Sequence, residues 1–506
     1  MARLDGRLVV TSLDLVAAGH CAVLPSLDRV AADGGPAAPT LDLRFDSMRT
    51  VAPGGPIPPV LLDGARRVVT VAPPGPGVRG LEAAQGATLA AFHAGAEAVV
   101  GGVLLDEPAP GVLHAVRPDL LRRTTAGAID VVHTGRARYV PAALLEALVI
   151  DCHVAAALLG SSPGRTHAVL ADGTTTTRDA TGAADRVAAL RALLLKALAL
   201  EPPVAPDVVP HCTLCRWAPR CDGGRESADS VALVPGVDAA TAVALRARGL
   251  ATVEAIATAE DINEVLRRQA ALVVEHRVGG HVAYDLLPPS PGTGLARLPD
   301  ASEGDCFVAV DVGPFAGPAE DGGDLVVLVG VGEVVDGVPS YTALWAHDTD
   351  AEGKLAQRLG ELLGHRRLLD PHLHVYVHGE AAVAGLRALA TTHPGVLGDL
   401  AGDLLVDLGA AVTEALAVST GTDALSDLEP LWTVRRSGRP RATVPARLRY
   451  ERWLEVDDDT ALRDLEDANA TACDTTKRLR DWLESRRPEV RRRFGVAPGR
   501  PQAAQR

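Results

Sequence analysis

The chain has 506 residues, 47% hydrophobic and 23% charged, enough for two to four folded domains and far from a disordered composition. A net charge of −14 argues against a nonspecific coat on nucleic acid, since phosphate binding needs clustered cations, although a local basic groove is compatible with it. Seven scattered cysteines do not make a secreted disulfide framework, and Met1-Ala-Arg-Leu-Asp-Gly-Arg7 is not followed by the apolar run of a secretory leader, so a cytoplasmic protein is expected.

Residues 1–70 open on an apolar helix that runs to Cys21 and pass into the strand-like Leu41-Asp-Leu-Arg-Phe-Asp46. Pro/Gly-rich turns are predicted at 52–59 and 73–79. Helical spacing of Leu81, Leu89 and Phe92 predicts a helix over 80–93, and 98–105 reads as a strand. Further strands are predicted at 113–122, 128–132 and 168–171, and helices at 142–159 and 183–200. The apolar stretch 142–160 is interrupted by Glu146, Asp151 and His153, so no membrane span is expected. Residues 233–245 read as a helix-hairpin-helix, with a tight Pro235-Gly236-Val237 turn and Gly249 ending the helix. Such a turn can offer backbone N–H groups to a phosphate, and Arg246 and Arg248 are the nearby cations. Residues 286–300 read as a linker. Strands are then predicted at 306–312, 325–331, 341–345 and 374–377, and helices at 351–363, 379–390, 397–416 and 461–485. The tail after Glu489, with Arg491, Arg492, Arg493, Arg500 and Arg506, is expected to be a disordered, solvated end.

The most informative run is His211-Cys-Thr-Leu-Cys-Arg-Trp-Ala-Pro-Arg-Cys221. Two thiolates three residues apart can grip one metal centre, and a third six residues on closes the loop around it. A fourth ligand is needed. His211 would complete a zinc site, and Cys21 would complete either a zinc site or a 4Fe-4S cluster. Cys152, Cys306 and Cys473 are expected to lie apart as packing residues.

Thr11-Ser-Leu-Asp-Leu-Val-Ala-Ala-Gly-His-Cys21, followed after a long gap by C-x2-C-x5-C, resembles the iron–sulfur staple of RecB-family (AddB-like) nucleases. The following order of a helix-hairpin-helix and an RNase H-like (DnaQ-type) domain is similar to that of RecB-like proteins carrying both modules, and the resemblance covers nearly the whole chain. It implies an α/β multidomain protein with a restriction-endonuclease-like domain of the PD-(D/E)XK type at 1–205 and a cysteine motif at 206–228 closing onto the first helix. A helix-hairpin-helix at 229–285, the linker at 286–300, the RNase H-like domain at 301–488 and a basic tail at 489–506 follow. It implies a 4Fe-4S cluster on Cys21, Cys212, Cys215 and Cys221, with zinc as the alternative. The implied partners are DNA or RNA, or a protein of a DNA-processing complex, and no membrane.

The same resemblance fails at the catalytic residues. Family members bind Mg²⁺ through one Asp and a following acid-x-Lys. Arg117-Pro-Asp-Leu-Leu121 matches the first acid at Asp119, but the second acid and the Lys fall on His133 and Gly135. Asp106, Asp130 and His133 are the candidate substitutes. In the RNase H-like domain the leading acid falls on Ala309, with Asp311 in the second place and Asp407 as the middle acid. The closing acids are lost in Asn469-Ala-Thr-Ala-Cys473, and Asp474 lies two residues too far. Asp119, Asp311 and Asp407 are therefore read as remnants, with Mg²⁺ binding weak or absent. The function expected is that of a nuclease-like protein that processes or binds nucleic acid with degenerate sites. The alternatives are an active metal-dependent nuclease with a rearranged site and an interaction protein without nucleic acid. In the first case Asp119 should stand beside His133 without a second carboxylate in reach, and Asp311 and Asp407 should lie close together.

Overall fold

The computed structural model describes residues 1–38, 56–135, 137–314, 324–335, 337–421, 424–433 and 445–494. The run 41–46, and Arg500 and Arg506 of the tail, lie outside these residues. The chain is α/β, about 50% helix and 20% strand with mixed sheets. It divides into two compact units, the first built chiefly from Met1–Gly224 and the second chiefly from Arg225 onward, with the short piece Glu451–Asp458 belonging to the first.

The first unit carries two sheets. Ala2–Leu4, Arg7–Val10, Val112–Val116 and Leu104–Ala109 form one, in that spatial order. The other runs Thr175–Asp179, Pro163–Val169, Ile129–Thr134, Leu120–Arg123, Ala98–Val100 and Val68–Thr70. The helices Ser12–His20, Gly77–His93, Ala142–Leu158 and Ala184–Ala199 supply the apolar faces that bury this framework, with Leu15, Leu81, Leu148 and Leu194 in one core with Val99 and Val131. The single strand expected over 98–105 is in fact two strands in different sheets. Gly101, at φ +67°, turns the chain between them, a conformation that L side chains rarely adopt. Likewise 113–122 is broken into two strands, because Pro118 cannot donate to a ladder.

In the second unit a small cluster of Val231, Val234, Ala242, Leu245, Val253, Ile256 and Ala270 holds the hairpin region together. The larger part is a five-stranded sheet ordered Val338–Trp345, Asp324–Val335, Cys306–Pro314, Val375–Val377 and Leu405–Asp407. The first two pairings are antiparallel and the last two parallel. The long helix Asp459–Phe494 lies against this sheet at close range. Gly330 makes that possible, since a β-carbon there would stand 1.8 Å from Asn469 Oδ1 of the helix.

Three expectations are corrected. The helix expected over 397–416 contains the edge strand Leu405–Asp407, and only Leu408–Ala415 is α-helical after it. Residues 286–300 are not a free linker: Leu286 pairs with Leu416 in a two-stranded ladder, and Leu295 and Leu298 are buried in the core of this unit. Arg491, Arg492 and Arg493 are exposed, but they belong to the last turns of the helix Asp459–Phe494 rather than to an unstructured end. Among the described residues no helix is long and apolar enough to cross a membrane.

Candidate functional site

Cys21 caps the C-terminus of Ser12–His20, its N–H donating to Ala17 O at 3.0 Å. Cys212 lies in the 3-10 turn Pro210–Leu214, Cys215 ends it, and Cys221 is buried in the helix that follows. These four gather in one place. Cys21, Cys215 and Cys221 share an apolar cluster with Ala17, Leu24, Leu27 and Trp217. Burial chiefly, and then the electrostatic influence of Cys21, Cys221 and Cys212, push the Cys215 thiol up to about 12. Backbone N–H groups point at two sulfurs, Val209 N to Cys212 Sγ and Trp217 N to Cys215 Sγ, each at 3.4 Å. No disulfide ties up any of the four, and the rings of His20 and His211 stack at 5.1 Å beside them. Soft thiolates in a half-buried, apolar setting with N–H donors to sulfur suit an iron–sulfur cluster or zinc. As placed, no three His, Cys, Asp or Glu side chains among the described residues stand close enough to share a single ion. Cys152, Cys306 and Cys473 lie elsewhere as buried packing residues.

The second candidate is a cavity of about 430 Å³ in the first unit, walled by Val71, Val103, Leu144 and Leu148, with Thr11, Ser12, Arg117, Asp119, His133 and Asp151 as its polar groups. Asp119 stands just before the strand Leu120–Arg123. Its Oδ2 accepts from Thr134 N at 2.6 Å and Thr134 Oγ1 at 3.1 Å, and His133 Nδ1 is 3.3 Å away. Burial lowers His133, against the pull of the Asp119 carboxylate. The backbone N–H of Gly135 bonds Val169 O, and Gly135 offers no side chain at the place where the resemblance expects a Lys. Of the three candidate substitutes, His133 stands beside Asp119, whereas the two acids are engaged elsewhere: Asp106 pairs with Arg191 at 2.7 Å, and Asp130 accepts from Arg165 N at 2.7 Å, four residues back along its strand from Thr134. One carboxylate oxygen with these donors around it is a poor start for the oxygen-rich shell that Mg²⁺ requires.

Sequence reasoning missed Asp151, which was read only as a polar break in an apolar helix. Ser12 Oγ bonds both Asp151 Oδ1 and His114 Nε2, the latter at 3.0 Å. Since the hydroxyl sits between the acid and the imidazole, the order is not that of a nucleophile activated by a His that an acid orients. Burial pushes the Asp151 carboxyl up to about 7, opposed by the bond from Ser12. Burial, with a smaller contribution from Arg191, pulls His114 down to about 4.

A pH signature follows. From about pH 4 to 6.5, folded Asp151 holds a proton that the unfolded chain has lost, whereas folded His114 lacks one that the unfolded chain has bound, so the two slopes cancel. Above that window only Asp151 contributes, and stability falls towards pH 7. Asp151→Asn should therefore expose a stability that rises over about pH 4 to 6.5. It should also add stability at alkaline pH, by at most the roughly 4 kcal/mol that corresponds to a carboxyl raised from 3.8 to about 7. Urea unfolding of both proteins at about pH 5, 6.5 and 8 checks this, and curves that stay parallel would refute it.

In the second unit, Asp311 and Asp407 are not brought together. Val308 pairs with Val377 and Val377 with Asp407, so Asp407 lies two strands across and three residues along from Asp311, roughly 14 Å between Cα atoms. Asp311 Oδ2 accepts from Asn469 Nδ2 at 2.8 Å, and Tyr341 OH donates to Asn469 Oδ1 at 3.1 Å. Burial raises the Asp311 carboxyl, against that bond and the charge of Arg449. Asp407 caps the helix Leu408–Ala415 by accepting from Ala410 N at 3.1 Å. Asp474 is exposed and pairs with Arg478. At the hairpin, Gly236 turns at φ +82° and Asp238 caps the helix Ala239–Ala247, placing a carboxylate where a phosphate would approach. Arg248 is held by Asp261 at 3.0 Å.

No protein-family model matches the chain, and no curated protein or solved structure is significantly similar to it.

Proposed function

We infer that the protein is a nuclease-like subunit of RecB type, held together by a cysteine-ligated cluster, that binds or helps process nucleic acid with degenerate catalytic sites. The observation that carries the reading is the gathering of Cys21 with Cys212, Cys215 and Cys221 from opposite ends of the first unit. The five-stranded sheet of the second unit supports it too, since three antiparallel strands followed by two parallel ones, in the order third, second, first, fourth, fifth, is the arrangement expected of an RNase H-like domain. The degenerate character rests on the partners of the three acids. Asp119 is bonded to Thr134 and lies beside His133, Asp311 is bonded to Asn469, and Asp407 serves as a helix cap. When bound, the cluster supplies a cross-link between the first helix and the end of the unit.

The test is direct. The anaerobically purified, full-length protein is assayed for iron, acid-labile sulfide and zinc, then incubated with single- and double-stranded DNA and RNA in Mg²⁺ and Mn²⁺. The double variant Asp119→Ala/Asp311→Ala serves as control. Salt-dependent binding without hydrolysis is expected. Robust hydrolysis abolished in the control would make this an active nuclease with a rearranged site, and an absence of binding at low salt would leave an interaction protein.

A further inference from the structure

Resting on the cluster reading above, we propose that Asp28 is the positioning residue of the cysteine centre. Its carboxylate clamps the loop between Cys215 and Cys221 to the helix after Cys21, keeping the two segments that carry the sulfur donors together before any metal arrives.

Asp28 lies on the helix Leu24–Ala32, which begins just after Cys21, and it is buried. Both of its oxygens are engaged by residues 188 and 189 positions away in sequence: Oδ2 accepts from Arg216 Nη2 at 2.6 Å, and Oδ1 accepts from Trp217 Nε1 at 2.7 Å. Arg216 and Trp217 directly follow Cys215 in the ligand loop. Trp217, 2% exposed, packs among Leu24, Leu27 and Cys221, and its own backbone N–H reaches Cys215 Sγ. A chain of direct contacts therefore runs from the helix after Cys21, through Asp28 and Trp217, to the sulfur of Cys215.

The physical need for such a clamp is entropic. Three donors lie within ten residues of one another, whereas the fourth comes from the other end of the unit, and closing so long a loop onto a metal costs ordering entropy at the moment of binding. A buried, charge-assisted pair of hydrogen bonds holds the two segments together beforehand. The Trp217 ring fills the apolar side of the same joint, so the loop cannot swing about the carboxylate. Partners that orient metal ligands without touching the metal are worth about 10–100-fold in affinity where they have been removed.

The experiment compares full-length wild type, Asp28→Asn and Trp217→Phe, purified anaerobically. Metal and sulfide per chain, the visible absorption spectrum and the rate of metal release to a chelator are measured below the unfolding temperature of each protein. Asp28→Asn should release metal about 10–100-fold faster, with an altered absorption band, while its circular dichroism stays that of wild type. Trp217→Phe, which loses one bond and keeps the apolar fill, should fall between the two, and it carries the test should Asp28→Asn fail to fold. Unchanged release and spectra in a folded variant would overturn the proposal and leave the cluster reading intact. A wild type that binds neither iron nor zinc after reconstitution would overturn both.

Discussion

Replacing Asp305 by Ala should destabilise the second unit by about 3–5 kcal/mol, the range for breaking a buried ion pair from one side. Asp305 is 2% exposed and precedes the first strand of the five-stranded sheet. Its Oδ2 bonds Arg480 Nη1 at 2.5 Å and Ser302 N at 2.9 Å, and its Oδ1 accepts from His374 N at 2.9 Å. The Arg480 guanidinium lies against the stacked pair of rings Phe307 and Tyr376, at 4.9 and 5.0 Å from their centroids. Without the carboxylate a guanidinium 7% exposed would stay buried with its charge unmatched on that side, and its remaining partner, Asp481, sits at the surface edge. Thermal unfolding of this unit should fall by roughly 10 °C. Asp305→Asn keeps the shape and some acceptors and should cost less. The double variant Asp305→Leu/Arg480→Leu should be more stable than Asp305→Ala, because no lone charge remains. A single variant within about 1 kcal/mol of wild type would show that this pair does not hold the helix Asp459–Phe494 to the sheet.

That pair illustrates what a sequence does and does not make visible. The strands around 306–312, 325–331 and 341–345 stand out because short apolar runs, Val-rich in the first two and aromatic at both ends in the third, read as strands at that length. The partner of Asp305 lies 175 residues away with no local signal. The short strand Leu405–Asp407 was equally hidden. Its three residues sit in an apolar run of helical period, and only pairing with Val375–Val377 makes them a strand. The stretch 286–300 reads as a linker from its Pro and Gly content, yet its Leu residues find a core that composition cannot show. At the candidate sites spacing singles out Cys212, Cys215 and Cys221, whereas Cys21 is marked only by the resemblance. Asp151 was overlooked because an acid on an apolar helix declares neither its depth nor its Ser12 and His114 neighbours until the fold brings together residues 139 and 102 positions apart.

Cys215→Ser should abolish metal retention by the full-length protein while leaving most of the first unit folded. A serine oxygen is a harder donor than a thiolate, and its hydroxyl is far less acidic than a thiol, so the proposed four-sulfur centre would lose its fit to iron–sulfur or zinc chemistry. In small zinc peptides metal binding is worth about 10–16 kcal/mol of folding free energy, because nothing else orders the chain. Here the helix Ser12–His20 already buries Leu13, Leu15 and Val16 in the main core, and Asp28 already grips the cysteine loop, so only a fraction of that energy can be at stake for the fold. The loss should be local. Hydrogen exchange should quicken across Leu24–Ala32 and the Pro210–Leu214 turn, with the strands Ile129–Thr134 and Leu120–Arg123 unaffected. Cys152→Ala is the matched control. That thiol is fully buried and donates to Ile129 O at 3.2 Å, so its removal should cost about 1 kcal/mol and leave metal content unchanged. Equal metal content in Cys215→Ser and wild type would place the centre elsewhere, and global unfolding of Cys215→Ser would mean that the metal, rather than the apolar core, holds the first helix in place.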